Sequence, residues 1–389
     1  MYQLAKTELE KFGAEITTRE IRQQPELWAE AFTYYQASLE QITSFLKTVK
    51  TSTTEKVRVI FTGAGTSQYV GDTIVPHLNQ NGDTKKFIFQ SIGTTDIVAA
   101  PEQYFFPEET TILVSFARSG NSPESVATVQ LANQLIKNIY HLTITCAKEG
   151  ALAKAAQGDE RNLLLIMPER SNDAGFAMTG SYSCMTLTAL LVFDEKNQLA
   201  EKTRYVQALI ELSQDVLARV SDIQAIIDRD FNRIVYLGSG SLAGLTREAQ
   251  LKVLELTAGK ITTVFDSSMG FRHGPKSFVN EQTLIFDFIS NNAYTRQYDI
   301  DMLEEANADQ IAAGVIGIGQ AGEMNYTGEN FVLKASEVQL PDGYLALVDV
   351  VFAQTISLLS SIKVGNTPDT PSATGTVNRV VKGVIIHEY

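Results

Sequence analysis

Val59-Ile60-Phe61-Thr62-Gly63-Ala64-Gly65-Thr66 and, 175 residues further on, Ile234-Val235-Tyr236-Leu237-Gly238-Ser239-Gly240-Ser241 share one pattern. In each, a branched and aromatic run suited to a buried strand meets two glycines that permit a tight turn, and a hydroxyl residue then opens a helix. Around the first stretch, strand-like runs at 57–61, 87–89, 112–115, 140–145 and 163–167 alternate with helical spacing at 67–78 and 123–137. Around the second, strand-like runs return at 261–265, 283–288, 314–318 and 331–333. Strands separated by helices of about 10 to 15 residues indicate βαβ units and a parallel sheet. The expected fold is α/β, a tandem duplication of one doubly wound parallel-sheet unit.

The flanks fit that plan. Leu27, Phe32, Tyr35, Leu39, Ile42 and Leu46 recur at helical spacing and predict a helical lead-in over 25–47. A mostly helical interval is expected from 178 to 230, and a last helix over 344–363. The expected division is 1–50 helical, 51–200 first copy, and 201–389 second copy with its tail. Gly365-Asn366-Thr367-Pro368-Asp369-Thr370-Pro371-Ser372 is turn-rich and should be irregular, whereas the apolar pattern at 377–386 predicts a packed end.

Composition narrows the function. With 389 residues and 44% hydrophobic content the chain can build two cores. No apolar stretch approaches the roughly 20 residues of a membrane span, and Met1-Tyr2-Gln3-Leu4-Ala5-Lys6 lacks a signal-peptide core, so a cytoplasmic location is expected. A net charge of −13, spread along the chain, disfavours nucleic acid and anionic membranes as partners. Cys146 and Cys184 form no CxxC pair, which supports neither a disulfide framework nor a thiolate metal site.

Ser115-Phe116-Ala117-Arg118-Ser119-Gly120-Asn121-Ser122 follows an apolar strand and precedes Pro123, where a helix can start. A hydroxyl-rich turn at a helix N-terminus is a phosphate cradle: amides point outward, the helix dipole is positive there, and hydroxyls add donors. The turn Gly65-Thr66-Ser67 would lie beside it at the carboxyl ends of neighbouring strands. Ser67, Ser119 and Ser122 then supply hydroxyls, and Arg118 can add a charge. The plainer alternative is a pair of helix N-caps. A dinucleotide fingerprint fits poorly at Gly63-Ala64-Gly65, where the third glycine is replaced by Gln68, and better at Gly238-Ser239-Gly240 with Asp266. The second copy has no counterpart of Arg118 to Ser122, so a phosphate site is expected only in the first.

Over 242–257 the spacing places Glu248, Lys252 and Glu255 on one stripe of a helix. In isolation that is a solvated ion-pair ladder. The following Phe271-Arg272-His273-Gly274-Pro275 sets an imidazole in a locked turn, which with a carboxylate makes a general acid and base pair. His77, His141 and His387 lack such a context and receive no role.

Gly65-Thr66-Ser67, Ser119-Gly120-Asn121-Ser122, Glu248 to Glu255 and His273-Gly274-Pro275, in this order in a duplicated chain, resemble the sugar isomerase (SIS) domain family. The likeness covers nearly the whole chain beyond about residue 40 and is greatest to galactosamine-6-phosphate deaminase/isomerases, long labelled tagatose-6-phosphate ketose/aldose isomerases. The resemblance implies two tandem flavodoxin-like SIS subdomains. It assigns the sugar 6-phosphate to Ser67, Ser119 and Ser122, with Gly65, Thr66 and Arg118 beside them. It assigns C1–C2 proton transfer to Glu255, oxyanion stabilisation to Lys252, and ring opening to His273, which commonly reaches a partner subunit's site and so implies a homodimer. Lys382 matches a lysine that completes the site in the related glucosamine-6-phosphate synthase. The turn departs from that enzyme's Ser-Gln-Ser-Gly-Glu-Thr by an additional residue and an arginine, and with Met1-Tyr2-Gln3 at its start no glutamine-hydrolysing domain is expected. Deamination without metal or redox cofactor is the implied direction, with plain aldose/ketose isomerisation or sugar-phosphate sensing as alternatives. Asn172 to Thr179 is the candidate wall for the sugar, with Thr179 its contact.

Overall fold

A computed structural model describes Met1–Val381 and Gly383–Tyr389. The chain divides into two compact units. One comprises Glu26–Asp173, Met178–Lys202 and Val377–Tyr389, and the other Met1–Pro25, Ala174–Ala177 and Thr203–Thr376. The expected cut near residue 200 falls beside the Lys202/Thr203 division, but the N-terminal segment is shared between the units and the last 13 residues group with the first sheet.

The first unit is built on a five-stranded parallel sheet of β1 (Val57–Thr62), β2 (Phe87–Ser91), β3 (Thr111–Ala117), β4 (Ile139–Thr145) and β5 (Asn162–Ile166), in the order β2-β1-β3-β4-β5. Every residue of β1, β3 and β4 is buried, the polar Arg58, Ser115, His141 and Thr143 included, so these strands are covered on both faces. Phe61 stacks between Phe89 and Phe116 across β2 and β3, with Phe193 edge-on from the helix Gly180–Phe193, itself buried throughout.

The second unit repeats this plan with β6 (Arg233–Gly238), β7 (Thr262–Ser267), β8 (Thr283–Phe288), β9 (Gly314–Gln320) and β10 (Glu329–Leu333), all parallel, in the order β10-β9-β8-β6-β7. Counted within its copy, each sheet has the order 2-1-3-4-5 of flavodoxin-like folds. The first turns also match: Gly65 has φ 55 and ψ −128, Gly240 φ 57 and ψ −123, and each stands immediately before a helix of 16 residues, Thr66–Asn81 and Ser241–Leu256.

Three expectations change. The lead-in helix is interrupted at Ser38, giving Gln24–Ala37 and Leu39–Thr51. The helix Asp342–Lys363 is long and apolar enough to cross a membrane, contrary to the sequence-based exclusion; it is almost wholly buried and packs along Ser241–Leu256 as a core helix. The end of the chain is not packed through its apolar residues, since Val377, Val381 and Ile385 are all more than half exposed. Polar anchors hold it instead. Cys146 and Cys184 are buried, and burial pushes the Cys146 thiol up to about 12, so both are inert core residues.

Candidate active site

In the β1–β5 unit, register sets the geometry of the cradle. Thr62 of β1 pairs with Ser115 of β3, so the turns after these two strands leave the same edge of the sheet as neighbours. This is the topological switch point, where connections diverge to opposite sides and leave a crevice. Ser115 lies inside the strand and is buried; the cradle turn proper is Arg118 to Ser122. Gly63 is needed for close approach, because a Cβ there would lie 2.6 Å from the carbonyl carbon of Ser67. Gly65 and Gly120 take φ of 55 and 67, in the left-handed region that glycine tolerates. Neither helix is capped by a side chain: Gly65 is the N-cap of Thr66–Asn81, and the Ser122 side chain accepts no first-turn amide of Pro123–Leu135. The capping alternative is therefore not what these hydroxyls do.

What props this turn is not visible in the order of residues. Gly150 passes so close that a Cβ there would meet the carbonyl of Ser119 at 2.4 Å. The Ala151 amide donates to Asn121 Oδ1 at 2.9 Å and the Leu152 amide to the Gly120 carbonyl at 3.1 Å. Arg118, 7% exposed, donates through Nη2 to the Arg379 carbonyl at 2.5 Å. Arg379 Nε in turn donates to the Asp173 carbonyl at 2.9 Å, and Tyr389 ends the segment with a 2.7 Å bond to Glu102. Arg118 thus holds the chain terminus against the cradle turn. Lys382 lies outside the described residues.

Thr179, the expected sugar contact, is engaged within its own unit. It is buried, and its hydroxyl donates to Asp173 Oδ1 at 2.8 Å. The Asp173 carboxylate also accepts the amides of Thr179, Gly180 and Ser181 and the Ser181 hydroxyl, which closes the N-terminus of Gly180–Phe193. Two of the histidines without an assigned role are structural: His77 bonds Asp194 at 3.0 Å, and burial pushes His141, bonded to Asn133, down to about 4.

In the β6–β10 unit, the helix Ser241–Leu256 carries Glu248, Lys252 and Glu255. The solvated ladder is ruled out by burial. The Lys252 side chain is 1% exposed and Glu248 0%, whereas Glu255 is 23% exposed. Lys252 Nζ lies 2.5 Å from Glu255 Oε2 and 3.5 Å from Glu248 Oε1. A buried ammonium between carboxylates is costly in desolvation and contributes little net stability, which favours a chemical reason for keeping it. The pair offers a partly accessible carboxylate that can exchange a proton and a cation that can face developing negative charge.

His273 ends a short 3₁₀ turn, Gly270–His273, and Gly274 takes φ 127 before Pro275. It is exposed, and among the described residues it makes no hydrogen bond to a carboxylate. Its neighbours hold the loop: Arg272 pairs with Glu305 at 2.7 Å, and Lys276 with Glu305 and Asp309 at 2.5 and 2.6 Å. Asp266, the acid of the dinucleotide alternative, accepts the amide of its own neighbour Ser267 at 2.7 Å.

A SIS-domain family model matches residues 53–193, the span that holds the cradle. The D-galactosamine-6-phosphate deaminase AgaS of Escherichia coli is 43% identical over 376 residues, covering 96% of this chain and 96% of that protein. The protein of the same name from Shewanella sp. (strain ANA-3) is 36% identical, covering 99% of this chain and 95% of that protein. The crystal structure of tagatose-6-phosphate ketose/aldose isomerase from Escherichia coli superposes with a TM-score of 0.87 at 40% identity, covering 96% of each chain. With the doubled fold, the hydroxyl-lined turns and the buried Lys252–Glu255 pair, these likenesses run the length of the molecule: the chain belongs to the sugar isomerase domain family, in the branch of the AgaS proteins.

Proposed function

We propose that this chain converts galactosamine 6-phosphate and water into tagatose 6-phosphate and ammonia. The observation that carries the reading is the Lys252–Glu255 pair, a buried ammonium 2.5 Å from a partly exposed carboxylate, in a chain 43% identical to a named deaminase. A molecule that only sensed sugar phosphates would have no use for it.

The substrate phosphate binds at the switch point of the β1–β5 sheet, on the hydroxyls of Thr66, Ser67, Ser119 and Ser122 and the amides from Gly65 onward. Arg118 keeps the chain terminus at that turn. His273 moves the proton that opens the sugar ring. Glu255 then removes the C2 proton, and Lys252 faces the negative charge growing on O1, giving an enolamine. Returning the proton to C1 leaves a C2 imine. Water adds to the imine carbon, the C–N bond breaks, and ammonia leaves with the ketose 6-phosphate. The exposure of His273 suits a histidine that serves a second copy of the chain, and we take the working enzyme to be a cytoplasmic homodimer.

Plain isomerisation of a 6-phosphosugar uses the same residues, and the name of the solved Escherichia coli relative favours keeping it as the second reading. Ammonia release separates the two. Ammonia from galactosamine 6-phosphate supports the first; isomerisation of tagatose 6-phosphate without ammonia from the amino sugar supports the second.

A further inference from the structure

The switch-point crevice of the second sheet raises its own question. Its turn has the same backbone as the first, with Gly240 at φ 57 and ψ −123, yet the residues around it differ. In the first copy the helix after the third strand, Pro123–Leu135, has Glu124 as its only acid, in the first turn. In the second copy the corresponding helix, Ala293–Ala308, carries Asp299 two turns in, fully buried.

Asp299 reaches back to all three strand ends that frame the crevice. Its Oδ1 accepts the hydroxyl of Ser239, after β6, at 2.5 Å and that of Ser268, after β7, at 2.8 Å. Its Oδ2 accepts the amide of Ser290, after β8, at 3.0 Å. Two hydroxyls and a backbone amide at the carboxyl ends of parallel strands are the donor set that this fold offers an anion. Here a carboxylate from the chain itself receives them. Asp287 of β8, also buried, adds the last piece: burial and the neighbouring Asp299 push its carboxyl well above the usual range. The Ser268 hydroxyl also points to Asp287 Oδ1, 3.1 Å away, so the two buried acids share one donor.

The two segments tied by Asp299 are those that carry the reacting groups. Ser239 stands two residues before the helix of Lys252 and Glu255, and Ser268 stands five before His273. The same helix grips the His273 loop again through Glu305, which pairs with Arg272 and Lys276.

We propose that Asp299 is an internal anion that occupies the second copy's phosphate seat and acts as a positioning residue, fixing the Ser239 and Ser268 turns from which the catalytic helix and the histidine loop start. The second copy then takes no sugar phosphate or dinucleotide of its own; its ancestral binding crevice has become the frame for the chemistry. This rests on the deaminase reading for its kinetic test only.

Asp299→Ala, Asp299→Asn and Ser239→Ala decide it, with two readouts. The first is kcat and KM for ammonia release from galactosamine 6-phosphate, with inhibition by inorganic phosphate. The second is amide hydrogen exchange over 239–243 and 268–273, against 63–67 and 118–122 as an internal reference. Asp299→Ala is expected to lower kcat roughly 10- to 100-fold, the scale of a small misplacement of reacting groups, with KM and phosphate inhibition within about twofold. Exchange should rise in both second-copy turns and stay unchanged in the first-copy turns. Asp299→Asn, which keeps one acceptor oxygen for the hydroxyls, should fall between wild type and Asp299→Ala. Ser239→Ala cuts only the link to the catalytic helix and should lower kcat about threefold or more with the melting temperature unchanged, so the test survives if Asp299→Ala does not fold. A kcat within about twofold of wild type in Asp299→Asn and Ser239→Ala, or exchange that rises equally in both copies, overturns the proposal. If wild type releases no ammonia, the deaminase reading fails by itself, and the exchange pattern still decides the role of Asp299.

Discussion

Lys252 Nζ lies 2.5 Å from Glu255 Oε2, one turn further along the same helix, and the two side chains differ in access: 1% against 23% exposed. The cation is sealed in while the carboxylate opens outward. A group that must exchange protons with a substrate needs that access, and a group that only stabilises charge gains from the low dielectric around it.

Glu255→Gln should therefore keep the fold and the phosphate site but lose turnover by roughly 10²- to 10⁴-fold, the range of a lost general base. Phosphate affinity by calorimetry and single-turnover kinetics check both halves. A variant that retains near-normal kcat removes Glu255 from the mechanism.

Lys252 has a structural cost attached. Lys252→Met takes the ammonium from between Glu248 and Glu255, and breaking a buried pair costs about 3–5 kcal/mol. Urea unfolding should show that loss, and the double variant Lys252→Met with Glu248→Met should recover part of it. Equal stability of the single variant and wild type would contradict the burial argument.

Gly63→Ala tests the cradle without touching a hydroxyl. The new Cβ would lie 2.6 Å from the carbonyl carbon of Ser67, so the turn must shift and take its amides with it. The expected result is a rise in KM and in the inhibition constant for inorganic phosphate of about tenfold or more, with kcat much less affected. Ser119→Ala should move the same two constants in the same direction.

Arg118 predicts a different pattern. Its 2.5 Å bond to the Arg379 carbonyl ties down a terminus whose apolar side chains are exposed. Arg118→Ala should speed proteolytic clipping within 377–389 and lower kcat, while phosphate affinity falls less than in Ser119→Ala. The reverse order would make Arg118 a phosphate ligand first.

Asp299 gives the chain a pH signature. Burial raises its carboxyl to about 6, with Asp342 at the start of the last helix and Asp287 on β8 as the neighbouring acids. A pKa raised on folding means the native state binds the proton more tightly, so this contribution is full below about pH 4 and is lost as pH rises through about 6. Two pKa units correspond to about 3 kcal/mol. Between pH 4 and pH 7.5 wild type should lose up to that amount relative to Asp299→Asn in urea titrations. Parallel pH profiles would show that Asp299 is not the group responsible.

Much of this was legible from residue order. Runs of consecutive branched and aromatic residues such as Val59 to Phe61, with glycine turns repeated 175 residues apart, foretell two buried parallel sheets, because a strand covered on both faces draws apolar residues to adjacent positions. The cradle showed itself as a cluster of hydroxyls between a strand and Pro123. Burial did not: the stripe of Glu248, Lys252 and Glu255 has the same spacing whether it faces water or a core, and its helix is covered by β6, β7 and Asp342–Lys363 together. Contacts between distant segments were equally hidden. Gly150 under Ser119, Arg379 on Arg118 and Asp299 on Ser239 are pairings that no local period encodes. The bond from Thr179 to Asp173 is hidden for the same reason, since a threonine before a helix carries no sign of its partner six residues upstream.

Incubating the purified chain with galactosamine 6-phosphate, measuring ammonia and following the sugar by NMR, with glucosamine 6-phosphate alongside, decides the reaction. Ammonia and tagatose 6-phosphate should form in equal amounts from the galacto substrate. No ammonia from either amino sugar would contradict the deaminase reading.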